Sequence, residues 1–131
     1  MKGKLFYKNG NMLDHERATA LLEKFKDAFV IPDYEQAILQ KSRSKLIWCN
    51  LLSVPRTIPT EELQKLPLSP DTKVYYYGER DNEMVETSFA EICAFVDELE
   101  PWEEIDSEVF DDTFGWFIAI THEDISLVQG L

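Results

Sequence analysis

Lysine and arginine are scarce in this chain, and after Arg80 there are none. Residues 1–65 carry 11 Lys and Arg against 8 Asp and Glu, a balance of +3, while residues 66–131 carry 2 against 17, a balance of −15. The whole 131-residue chain therefore stands at −12, with its acid in the C-terminal half. Such a field repels the phosphates of nucleic acids and anionic lipids, so neither is an expected partner. It favours a basic protein.

Cysteine and histidine are also few. Cys49 and Cys93 form no CxxC pair, and His15 and His122 stand far apart, so neither a disulfide framework nor a His/Cys ligand set is in view. Both cysteines lie among apolar residues and read as small buried hydrophobes, and no metal or cofactor is expected. The longest apolar run, Phe114 to Ile120, falls well short of the roughly 20 residues a membrane span needs. Residues 1–9 have charge but no apolar signal-peptide core, which predicts a cytoplasmic protein. Repeats and low-complexity tracts are missing, and residues 1–131 read as a single domain. What the chain does have is 44% hydrophobic residues, among them eight Phe, five Tyr and three Trp. That is enough apolar surface to offset the entropy of ordering.

Periodicity outlines the elements. Leu5 to Tyr7 suits a strand. Asp14 is placed to cap a helix carrying Ala18, Leu21, Leu22, Phe25, Ala28 and Phe29 at helical spacing. Pro32-Asp33 opens a shorter helical pattern through Ile38. The apolar run from Lys45 to Val54 suits a strand covered on both faces, with a buried helix as the alternative. Thr60 is placed to cap a brief helix, Glu61 to Leu66. Lys73 to Tyr77 and Met84-Val85, separated by Asp81-Asn82, predict a hairpin. Ser88-Phe89-Ala90-Glu91 is a capping box for a second long helix reaching Pro101.

The remainder reads as a three-stranded meander: Ile105 to Phe110, Phe114 to Thr121 and Ile125 to Gln129. In its middle strand Phe114, Trp116, Ile118 and Ile120 are predicted on one face and Phe117 and Ala119 on the other, making it the most buried strand. The expected class is α+β, a mainly antiparallel sheet with this C-terminal meander packed against two longer helices.

Candidate chemistry is sparse. HExxH, GxSxG, GxGxxG and GxxxxGK[ST] are all missing. His122-Glu123-Asp124 at a strand end offers potential acid-base groups for a small hydrolase or metal-dependent enzyme, but adjacent side chains in a strand diverge. The competing reading is a turn histidine bonded to the backbone or a carboxylate. Carboxylate pairs such as Glu103-Glu104 or Asp111-Asp112 suit glycoside hydrolysis, although seventeen acids in one half produce such pairs by chance. Tyr75-Tyr76-Tyr77 suggests base stacking, which the surrounding charge opposes. Lys41, Arg43 and Lys45 read as a solvated helix end. Trp102, an aromatic between Glu100, Glu103 and Glu104, has the composition of an interface anchor with a charged rim, or else folds back as a lid on the core. With Asp106, Glu108, Asp111 and Asp112, these residues make up the candidate partner surface.

The run Val109-Phe110-Asp111-Asp112-Thr113-Phe114-Gly115-Trp116-Phe117-Ile118-Ala119-Ile120-Thr121-His122-Glu123-Asp124 resembles small acidic bacterial immunity proteins of toxin-immunity systems. The resemblance covers the last quarter of the chain and rests on an acidic turn, a Trp-containing apolar strand and a Thr-His-Glu ending. It implies a role, stoichiometric neutralisation of a toxin or nuclease, and no catalytic residue.

Overall fold

Seven antiparallel strands make one sheet in the computed structural model, which describes residues 10–32, 46–100 and 102–131. They are β1 (Asn11–Met12), β2 (Arg56–Pro59), β3 (Lys73–Gly78), β4 (Glu83–Ser88), β5 (Ser107–Phe110), β6 (Phe117–Ile120) and β7 (Ile125–Gln129), in the order β1-β4-β3-β5-β6-β7-β2. Among the described residues, helices α1 (His15–Phe29) and α2 (Phe89–Asp97) accompany the sheet in this α+β fold, together with 3-10 turns at Ile47–Cys49 and Thr60–Lys65. Among the described residues no helix is long and apolar enough to cross a membrane. The expected strand Leu5 to Tyr7, the short helix after Pro32 and the basic cluster Lys41, Arg43 and Lys45 lie outside the described residues.

Alternation along the strands builds two cores. Val74, Val85, Val109, Ile118, Ile120 and Val128 point to one face, where α2 covers them with Phe89, Ile92 and Phe95 and the Thr60–Lys65 turn adds Leu63. Tyr75, Met84, Phe110, Phe117, Ala119 and Leu127 point to the other, where α1 contributes Phe25 and Phe29. Strand β6 is deeply buried, with none of its four residues more than 1% exposed, but it is not the most buried strand: all four residues of β5 are at 0%.

Both helix starts follow their caps. The Asp14 side chain accepts from the Arg17 amide at 2.8 Å, and the Ser88 hydroxyl accepts from the Glu91 amide at 3.3 Å. Helix α2 stops at Asp97, earlier than Pro101 suggested. Its last turn has no basic residue, and Asp97 and Glu98 stand at the negative end of the helix dipole.

Three further expectations are corrected. Of the run expected from Lys45 to Val54, the described part from Leu46 onward forms the Ile47–Cys49 turn and a lone bridge between Leu51 and Val30, with Val54 96% exposed. Its polar groups are held by distant carboxylates instead of a strand ladder, through Trp48 Nε1 to Asp106 Oδ1 and the Ile47 amide to Glu79. The brief helix after Thr60 is there, as the six-residue 3-10 helix Thr60–Lys65, but Thr60 does not cap it. Pro59 leads straight from β2 into the turn, and the Thr60 hydroxyl bonds Ser126 Oγ at 2.8 Å. Phe114 has a φ of 52°, which takes it out of strand alternation and across to the α1 side, 5.8 Å from the Phe110 ring. Strand β6 therefore starts only at Phe117.

Candidate functional site

The ends of β3, β5 and β6 meet at one buried carboxylate. β3 and β5 pair as far as Gly78 opposite Ser107, and the Glu79 amide continues that ladder to the Asp106 carbonyl at 2.9 Å. This places Asp106 in the interior, 1% exposed, beside residues just beyond β3 and β6. Arg80 holds Asp106 Oδ2 with Nε at 3.0 Å and Nη2 at 2.7 Å. Trp48 Nε1 donates to Oδ1 at 2.9 Å, the His122 amide donates to the same oxygen at 3.2 Å, and His122 Nδ1 lies 2.9 Å from it. A buried carboxylate is tolerated only when its lone pairs are filled in this way. The hydrogen bond to Asp106 holds the His122 imidazole above its usual pKa. His122 is thus the turn histidine bonded to a carboxylate.

A second pair lies behind this hub. Glu108, opposite Tyr77 of β3 and Ala119 of β6, is fully buried on the α1 face. Burial pushes its carboxyl well above the ordinary range, and the neighbouring Glu79 adds to the effect. Glu79 is also raised, chiefly by burial, and its two oxygens accept from the Ile47 amide at 2.9 and 3.1 Å. Glu79, two residues beyond Tyr77 on the same side of the chain, is the neighbour of Glu108 across the β3–β5 pair, and no hydrogen bond reaches either Glu108 oxygen.

In front of the hub, on the α2 side, opens a cleft of about 550 Å³. Val96, Leu99, Ile105 and Ile120 provide its apolar wall, while Glu61, Asp97, Glu100, Glu103 and Asp124 bring carboxyl groups to it. His122 also lines it. Trp102 stands in a turn beside which the Glu103 amide donates to the Glu100 carbonyl and the Glu100 amide to Glu103 Oε1, both at 2.9 Å. Trp102 projects from that turn, 77% exposed. The lid reading of Trp102 is thereby overturned.

The predicted partner surface divides accordingly. Glu100 and Glu103 line the cleft, and Glu104 is exposed beside them. Asp106 and Glu108 are corrected: they lie in the interior and present nothing to a partner, Glu108 because β5 turns it toward the α1 face that also buries Phe110, and Asp106 because Arg80, Trp48 and His122 enclose it. Asp111 and exposed Asp112 sit beyond the far end of β5 from the cleft. There Asp111 accepts from Trp116 Nε1 at 3.0 Å and from the Thr113 amide at 3.0 Å. In His122-Glu123-Asp124, His122 and Asp124 line the cleft and Glu123 does not. Arg80, Trp48 and Glu79, which complete the hub, escaped sequence reasoning; Arg80 as the last base before an acidic tract was the available signal.

The hydroxyl groups on the cleft wall are already engaged. Thr60 and Thr121 are the hydroxyl residues that line it, and both are committed, the first to Ser126 Oγ and the second to the Ile125 carbonyl at 2.8 Å. Among the described residues no group of three His, Cys, Asp or Glu side chains is placed to hold a metal ion. Neither Cys49 nor Cys93 is in a disulfide, and each is half-buried. The chain matches no protein-family model, no curated protein and no solved structure.

Surface acid predicts a salt response. Leaving out Asp106 and Glu108, the carboxylates from Asp97 to Asp112 remain without a base in the same stretch. Salt shortens the Debye length from about 30 Å at 0.01 M to about 8 Å at physiological strength. The melting temperature is expected to rise over that range, most steeply in its first increments. A flat or falling curve in calorimetry would show that these carboxylates are already neutralised by the basic N-terminal half.

Proposed function

We propose that this is a protein-binding domain, an immunity-type inhibitor of the bacterial cytoplasm that neutralises a basic toxin or nuclease. The observation that carries the reading is Trp102, exposed on a turn whose flanking Glu100 and Glu103 line a carboxylate-ringed cleft. An aromatic that a monomer leaves in water at such a place has the character of an interface anchor, and the acid around it that of a steering rim. A nuclease cleft shaped to hold phosphate offers the complementary field.

Rim and anchor separate kinetically. Glu103→Lys with Glu104→Lys is expected to slow association and flatten its salt dependence, with little change in dissociation. Trp102→Ala is expected to speed dissociation by roughly 30-fold, equivalent to about 2 kcal/mol. Since Trp102 packs on nothing in the core, its replacement leaves the melting temperature unchanged. The test is capture from a lysate of the source cell on immobilised wild type, eluted by salt, with the Trp102→Ala form as control. A basic protein held by the first and lost by the second, whose toxicity ceases at one-to-one stoichiometry, supports the reading. Identical capture by both forms overturns it.

His122, held through Nδ1 by Asp106 on the cleft wall, supports a second reading: a small hydrolase using His122 and the neighbouring carboxylates. Turnover abolished by His122→Gln, with partner capture unchanged, would favour it.

A further inference from the structure

Glu79 and Glu108 stand apart from the cleft and from any role in binding. The Glu79 carboxylate receives the Ile47 amide on both oxygens, at 2.9 and 3.1 Å, and so ties the Ile47–Cys49 turn to the end of β3. Beside it Glu108 is fully buried, with neither oxygen in a well-formed hydrogen bond. Two ionised carboxylates side by side in the interior repel each other and lose their hydration, whereas one proton between them removes most of both costs.

We propose that Glu79 and Glu108 form a one-proton latch that holds the Ile47–Cys49 turn against the sheet and releases it when the proton is lost, while the sheet stays folded. The charged and titratable groups around the pair are Lys26 of α1, Asp106 ahead of β5, and Tyr76 and Tyr77 of β3. Lys26 favours the ionised forms, and Asp106 opposes them. Tyr77 donates to Asn82 Oδ1 at 2.7 Å, and burial pushes its phenol up to about 12, while Tyr76 is pushed up further, so neither ionises near neutrality. The latch therefore titrates as the carboxyl pair.

The sign follows from linkage. Both carboxyls bind protons more tightly in the closed protein than an ordinary glutamate does at its value of 4.5. Closure is fully favoured below that value and weakens as pH rises through the raised one. Opening also reaches the cleft, because the Trp48 ring in the turn lies 5.9 Å from the His122 ring on the cleft wall.

Amide hydrogen exchange of the full chain by NMR, expressed as protection factors from pH 5 to pH 8, tests the latch. Ile47 protection is expected to fall by about tenfold per pH unit, the limit for one proton, and then level off. Ile118 and Ala119 in β6 should hold steady. In Glu108→Gln the fall at Ile47 should be clearly shallower, since burial alone still raises Glu79 but the second charge is gone. Glu79→Gln, which keeps an acceptor for the Ile47 amide and removes one of the two charges, should give a shallower fall as well and serves if the first variant folds poorly. A flat wild-type profile overturns the proposal. So does an equal fall in either variant, or a parallel fall at Ile47 and Ala119, which would mean global unfolding.

Discussion

Replacing Asp106 by Ala is expected to lower stability by about 3 kcal/mol, the low end of what breaking a buried ion pair costs. The low end applies because the Arg80 side chain is 48% exposed and can turn to water, while Trp48 Nε1 and the His122 amide lose an acceptor at a half-buried site. For a chain of this length the drop in melting temperature should be on the order of 10 °C. Asp106→Asn retains Oδ1 as an acceptor and should lose less. It should also return the His122 pKa toward its usual value, readable by NMR titration of the ring. The sign is specific. A histidine raised by its partner adds stability that is present at low pH and fades as pH rises through the raised value, so that part of the pH dependence should vanish in Asp106→Asn. A variant as stable as wild type would show that Asp106 does not tie the three strand ends together.

The other large effect belongs to α1. Phe25 is fully buried and its ring meets Phe29 at 5.3 Å, Phe110 at 4.8 Å and Phe117 at 5.7 Å. Phe29 adds a contact with Phe117 at 4.8 Å. Other α1 contacts with the sheet are partial or exposed, such as Arg17 to Glu86 at 3.3 Å. Phe25→Ala therefore removes the centre of the aromatic cluster and is expected to cost about 4 kcal/mol, from lost burial plus the cavity left among rings that do not collapse inward. Chemical denaturation measures it. A loss below about 1 kcal/mol, typical of a surface site, would mean that α1 is held by contacts other than this cluster.

Much of this architecture was legible because local signals agreed with the tertiary result. Asp14 and the Ser88-to-Glu91 box mark helix starts that the structure uses, and alternation in Val74-Tyr75 and Phe117-Ile118 assigns opposite faces correctly. The Ile47–Cys49 turn was not legible, since what holds it is two carboxylates 32 and 58 residues away. Phe114 misled because its positive φ breaks the period. The burial of Glu108 had a signal. It shares strand parity with Phe110, and a Phe turned to the core takes the residue two before it along. Weight given to charge over parity placed Glu108 on the surface. The cleft itself joins Glu61 to Glu103 and Asp124, and its existence depends on how α2, the Thr60–Lys65 turn and the β6–β7 turn come together.

The central claim, that the acidic rim around Trp102 receives a basic protein, is tested most directly by stopped-flow association of the captured partner at two salt concentrations. The wild type is expected to bind faster at low salt, and the Glu103→Lys, Glu104→Lys variant about tenfold or more slower there, with the two converging at high salt. Equal association rates for folded wild type and variant at both concentrations would contradict the claim and leave the acidic loop a solvated face.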